Sequence, residues 1–159
     1  MTLTQASTAQ TRSDVGLATA LRISVSRLAR RLRVERTAQG TPGSELSDTQ
    51  FAALSVLERH SATTPGMTPG ELAEHEKVQP PSMTRVIAVL EERGLVMRAP
   101  HSTDRRQVVL TVTDEGRSVV QRARRRRDAW LAKRLKELTP QERATLRAAA
   151  PILEKLSQA

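Results

Sequence analysis

The chain has 159 residues, a formal charge of +9, no cysteine, and 38% hydrophobic but only 1% aromatic content. That length suits one compact domain with a real core, which must be aliphatic because Phe51 and Trp130 are the only aromatic side chains. The missing cysteine excludes a disulfide scaffold and any thiol-based peroxide sensing and fits a cytoplasmic location, and no apolar run approaches a bilayer-spanning length.

The first dozen residues, MTLTQASTAQTR, lack the basic and apolar regions of a secretory signal, so residues 1–13 read as a disordered polar tail. From Asp14, taken as the cap, Leu17, Leu21, Val25, Leu28 and Leu32 recur at helical spacing, giving an N-terminal helix over 14–38. Arg22, Arg27, Arg30, Arg33 and Arg36 fall largely off that stripe and read as a solvated face. Gly40, Pro42 and Gly43 mark a loop. Ser47 then caps a second helix with Gln50 in the capping-box position and Leu46 and Phe51 as the hydrophobic staple. Phe51, Leu54 and Leu57 point inward from it.

Thr68, Pro69 and Glu71 open the next helix by the same chemistry, with Met67 and Leu72 as staple. A further helix begins at Gln79-Pro80-Pro81, since proline fits only a first turn, and ends at Gly94, with Leu95 folding back on Leu90. Leu95–Ala99 and Gln107–Val112 are strand-like runs around the polar tip His101-Ser102-Thr103-Asp104-Arg105-Arg106. Helix, tight connection, helix and basic-tipped hairpin form a winged-helix pattern over 46–112. After it, Thr113 caps a long helix whose apolar face carries Val119, Val120, Ala123, Trp130, Leu131, Leu135 and Leu138. Thr139-Pro140-Gln141-Glu142 starts a last helix, which Pro151 is expected to kink or interrupt. The fold class is therefore mainly α with a small β-hairpin wing. The flanking helices, 14–38 and 113–159, carry apolar stripes too long to cover within one protomer, and a two-fold partner would cover them.

The run QPPSMTRVIAVLEERGLVMR, the DRR tip and LTVTDEG resemble the MarR (multiple-antibiotic-resistance regulator) family. Ser82, Thr84, Arg85, Leu90, Gly94, Leu95, Arg98, Asp104, Arg106, Thr113 and Gly116 carry the likeness, which extends over roughly Asp14 to Leu156. It implies a homodimeric winged-helix transcriptional repressor, often released from DNA by a small ligand held between the dimerisation helices and the winged-helix lobe. It also implies that Asp104 pairs with a nearby arginine and shapes the wing tip.

On this basis the Pro80 helix enters the major groove, with Pro80, Pro81, Ser82, Met83, Thr84 and Arg85 at the interface. Arg85 suits bidentate contact with guanine, Met83 a thymine methyl, and Ser82 or Thr84 phosphate or base, while first-turn N–H groups meet phosphate. The plainer reading puts Met83 and Val86 in the core and leaves Arg85 only neutralising phosphate. Arg105 and Arg106 suit the minor groove, and Arg98 joins the set through the family pattern. Between Thr64 and Val112 acids balance bases, so the excess charge lies in the first helix and after Thr113.

Arg124, Arg127 and Arg134 project near the apolar face of the long helix and suggest an anionic, partly apolar, salicylate-like effector. The competing reading sends them to water or to an acid of a partner subunit. The run Arg122 to Arg127 reads as a solvated face rather than a DNA arm. His60, His75 and His101 are scattered, and metal spacings, glycine-rich phosphate loops and nucleophile elbows are all missing from the sequence. Neither an enzyme nor a metal or organic cofactor is expected; Glu71 and His75 read as a surface pair. The expected partners are a pseudo-palindromic double-stranded DNA operator, a second copy of the chain and a small-molecule effector, with no membrane. Two other readings stand beside this one: a ligand-independent or architectural DNA-binding protein, and a winged-helix protein-interaction module.

Overall fold

A computed structural model describes residues 13–37, 45–62, 66–100 and 107–157. The expectations placed on the N-terminal tail and on the wing-tip residues His101, Asp104, Arg105 and Arg106 lie outside the described residues. In chain order the elements are α1 (Asp14–Thr37), α2 (Asp48–His60), α3 (Pro69–His75), α4 (Pro80–Glu92), β1 (Val96–Pro100), β2 (Val108–Val112), α5 (Asp114–Lys136) and α6 (Pro140–Ser157). The two strands form an antiparallel sheet that pairs Val96 with Val112 and Pro100 with Val108. Each begins one residue later than its sequence run. Met67 adds a single bridge to this sheet by exchanging two backbone hydrogen bonds with Leu110, 3.2 and 2.7 Å long.

Local chemistry sets most boundaries. Ser47 and Gln50 form a reciprocal capping box on α2, Thr68 and Glu71 form another on α3, and the Thr113 hydroxyl accepts from Gly116 N at the start of α5. At α1 the cap is Ser13 rather than Asp14: its hydroxyl accepts from Gly16 N at 3.1 Å, and Asp14 occupies the first turn, where its charge faces the positive end of the dipole. At the end of α4, Gly94 adopts φ +68°, Gly94 N donates to Glu91 O, and Leu95 N donates to Leu90 O. That double closure turns the chain sharply from α4 into β1. Gly116 serves a different purpose, because a Cβ there would collide with the Leu95 carbonyl oxygen where α5 starts against the sheet.

The core lies inside the winged-helix lobe. Leu54 and Leu57 of α2, Leu72 of α3, Met83, Ile87 and Leu90 of α4, Leu110 of β2 and Val119 and Val120 of α5 meet there. Each such side chain contributes roughly 1.5–3 kcal/mol by leaving water. This aliphatic cluster fixes α4 with one face inward and the other free.

The flanking helices differ from it. Leu17, Val25, Leu28 and Val34 of α1 are exposed, and α6 buries no residue although Leu146, Ile152, Leu153 and Leu156 lie along it. The expected break at Pro151 does not occur, and α6 runs through it to Ser157. The proline removes one helical hydrogen bond without ending the helix. Arg36 departs most from expectation: it is only 4% exposed, not part of a solvated face. Its guanidinium donates to Leu46 O at 3.1 Å and to Asp48 Oδ1 at 2.6 Å, tying the end of α1 to the start of α2. The Leu46 carbonyl and the Asp48 carboxylate supply the partners that make a buried guanidinium tolerable.

Candidate nucleic-acid interface

The face of α4 is set by three buried positions. Met83, Ile87 and Leu90 recur at helical spacing with essentially no exposed surface. That leaves Ser82, Thr84, Arg85 and Ala88 outward, with Pro80 and Pro81 exposed at the tip. Met83, expected as a thymine-methyl contact, belongs to the core instead. Its spacing to Ile87 and Leu90 was a sequence signal that pointed there. Val86 packs partly buried against the same cluster.

Among the described residues Ser82 and Arg85 have no side-chain partner, so a hydroxyl and a guanidinium stand free on the outward face. Thr84 differs, since its hydroxyl donates to Pro80 O at 3.0 Å and leaves its oxygen only accepting. The tip of α4 also lacks the amides expected to meet phosphate. Pro80 and Pro81 have no N–H, and Ser82 N and Met83 N both donate to Gln79 O, at 2.9 and 3.0 Å. The first four helical positions therefore offer an anion no free amide.

Arg98, on β1, faces Glu91 of α4 in a two-point ion pair, Nε to Oε1 at 2.7 Å and Nη2 to Oε2 at 3.1 Å. This pairing fixes the wing strand against the far end of α4. Arg93 likewise reaches Glu45 at 3.0 Å. The acids at that end therefore hold arginines, and the free cation on α4 is Arg85 among the described residues. His75 contacts Glu76 at 3.4 Å and meets the His60 ring edge-on, whereas the Glu71 carboxylate accepts from Thr68. The expected Glu71–His75 pair is thus replaced by the capping box.

A second concave region of about 520 Å³ opens between α1, α2 and α5. Ala29, Leu32, Phe51, Ala52 and Val120 give it apolar walls, and Arg33, Arg36, Arg59, Arg124, Arg127 and Asp48 give it charge. Two guanidinium groups approach the Phe51 ring, Arg36 at 4.8 Å and Arg127 at 5.4 Å from its centroid. Burial, and then the nearby Arg36 charge, push the Arg127 guanidinium below its ordinary pKa, with Asp128 opposing and Arg124 adding. Arg124 pairs with Glu58 at 3.2 Å. Arg134 lies apart from this cavity, paired with Glu137 at 2.9 Å and stacked over Trp130. Of the three arginines singled out from sequence, two share the cavity. Sequence reading missed Arg33, Arg36 and Arg59 because only the packing of α1 on α2 and α5 brings them in.

A helix-turn-helix whose second helix presents a polar outward face, followed directly by an antiparallel hairpin, defines a winged helix-turn-helix protein. Comparison with known proteins narrows that class. The MarR family model matches residues 46–108. An HTH-type transcriptional regulator of Mycobacterium bovis is 47% identical over 141 residues, covering 89% of this chain and 92% of its own. The HTH-type transcriptional repressor MdtR of Bacillus subtilis is 33% identical over 110 residues, 69% of this chain and 66% of its own. The crystal structure of RV1404 from Mycobacterium tuberculosis superposes with a TM-score of 0.79 at 26% identity, covering 92% of this chain and 96% of that one. The chain belongs to the MarR family. No helix among the described residues is long and apolar enough to cross a membrane.

Proposed function

We propose that this protein is a homodimeric, sequence-specific repressor that binds a pseudo-palindromic DNA operator and is released by a small, anionic, partly apolar ligand. The observation that carries the DNA reading is α4: Met83, Ile87 and Leu90 anchor it inward while Ser82 and Arg85 stand exposed and unpaired among the described residues. A free guanidinium there suits a guanine edge, and the hydroxyl suits phosphate or base. Arg105 and Arg106 extend the same reading into the minor groove. That MdtR of Bacillus subtilis is named a repressor supports repression over activation.

Dimerisation is supported by what one protomer leaves uncovered. Helices in proteins draw most of their stability from packing an apolar face, yet α6 buries none of its residues in its own chain. A second copy, related by a two-fold axis, would cover the apolar stripes. The ligand reading rests on the arginine-rich cavity beside Phe51, where a carboxylate would relieve the mutual repulsion of Arg36 and Arg127 and an aromatic body would meet the apolar wall. A ligand there shifts DNA affinity only by preferring one spacing of the two α4 helices.

Footprinting on DNA flanking the protein's own gene, with aromatic carboxylates titrated in, tests the whole reading. Two protected half-sites about 10 base pairs apart, lost on addition of ligand, are expected. Broad, unphased protection would favour an architectural role, and no protection at low salt would remove the DNA reading altogether.

A further inference from the structure

We propose that Lys77 is a DNA-phosphate contact and takes the place of the backbone amides that the start of α4 lacks. The proposal rests on the DNA-binding reading of α4 above. Lys77 has φ +52°, and among the described residues it is the one non-glycine with a positive φ. It closes α3 with the same double hydrogen bond that closes α4: Lys77 N donates to Glu74 O at 3.0 Å and Val78 N to Ala73 O at 2.9 Å. At the end of α4 the equivalent left-handed position is Gly94, the residue that adopts it without steric cost. The fold thus makes this turn twice, once with the favoured residue and once with a lysine that is strained there.

What lies just beyond explains the lysine. Gln79 caps α4, Pro80 and Pro81 carry no N–H, and the next two amides both close onto Gln79 O. A helix whose first four positions offer no free amide holds phosphate poorly, and a side-chain cation compensates. Lys77 is exposed and has no ion pair among the described residues. It is also the one lysine or arginine between Arg59 and Arg85. Glu71 and Glu74 on α3 and Glu76 at its C-terminal cap would otherwise leave this segment with negative charge alone. A glycine at this position would relieve the backbone and leave the anion without a partner.

The rival explanation is that Lys77 only complements the negative end of the α3 dipole. The two separate cleanly in an equilibrium titration of the intact protein against a duplex that the wild type selects from random-sequence DNA. The variants are Lys77→Gly and Lys77→Arg, and Tm is recorded for each. With one lost phosphate contact per protomer in a dimer, the log–log salt slope of Lys77→Gly becomes shallower by about two. Between about 50 and 200 mM salt the wild type then loses about tenfold more affinity than Lys77→Gly. Tm holds or rises in Lys77→Gly, and Lys77→Arg keeps the wild-type slope. An unchanged slope in Lys77→Gly overturns the proposal while leaving the DNA reading intact, and a fall in Tm with unchanged slope assigns the lysine to the helix dipole. Failure of the wild type to select any duplex would overturn both.

Discussion

Replacing Arg36 with alanine should cost about 2–4 kcal/mol of folding stability, a figure assembled from what the side chain touches. The Leu46 carbonyl, buried and facing Arg36 at 3.1 Å, loses its donor, at about 1–3 kcal/mol. The 2.6 Å contact with Asp48 contributes less than about 1 kcal/mol, because Asp48 is 55% exposed and keeps Arg33 at 3.1 Å. Loss of the guanidinium over the Phe51 ring adds about 0.5–1 kcal/mol, and its aliphatic stem leaves a gap between α1 and α2. In a chain of this size the change lowers Tm by roughly 4–16 °C. The assay is calorimetry at one fixed protomer concentration, since dimer stability varies with concentration. Asp48→Ala, measured beside it, should cost about 1–3 kcal/mol, because it leaves the buried guanidinium with the Leu46 carbonyl alone. An Arg36→Ala or an Asp48→Ala protein as stable as wild type would refute this account of the buried arginine.

Two further outcomes follow from the flanking helices. Removing residues 139–159 deletes α6, which buries nothing within its own chain, so the remainder should sediment as monomer or aggregate; a folded dimer would contradict the assembly proposed above. The second concerns Glu142, whose carboxylate accepts from the backbone N–H and the hydroxyl of Thr139, the two contacts that lower its pKa from the ordinary 4.5. A folded-state pKa below the unfolded one means that the cap's stabilisation is complete above pH 4.5 and is lost as pH falls through the lowered value. NMR titration should find Glu142 below its ordinary value and Thr139→Ala should move it back up; an ordinary value in the intact protein would rule the cap out as its cause.

How much of this was legible in sequence follows from the range of the interactions. Ser47 with Gln50, Thr68 with Glu71, Thr113 and Gly94 act within one helical turn, so residue type and spacing located them directly. The outward face of α4 was legible too, and of the two readings of Met83 the core one follows from the stripe it shares with Ile87 and Leu90. The amide-poor start of α4 was equally open to reading, because two prolines cannot donate. Arg36 was not: its burial depends on Leu46 and Asp48 across a chain reversal, and nothing local separates it from Arg30 or Arg33. The cavity beside Phe51 was hidden for the same reason, being built from three helices distant in sequence. Lys77 escaped notice because neither glycine nor asparagine marks its left-handed turn.

If the outward face of α4 reads base sequence, Arg85 is the side chain whose loss shows it. Binding of wild type and Arg85→Ala should be measured against a panel of duplexes carrying each single base-pair change across the protected half-sites. The account expects Arg85→Ala to lose about 1–3 kcal/mol on the preferred duplex and to stop discriminating at one base pair in each half-site. Equal proportional loss on every duplex would reduce Arg85 to a phosphate contact, and unchanged binding throughout would contradict the placement of α4 in the groove.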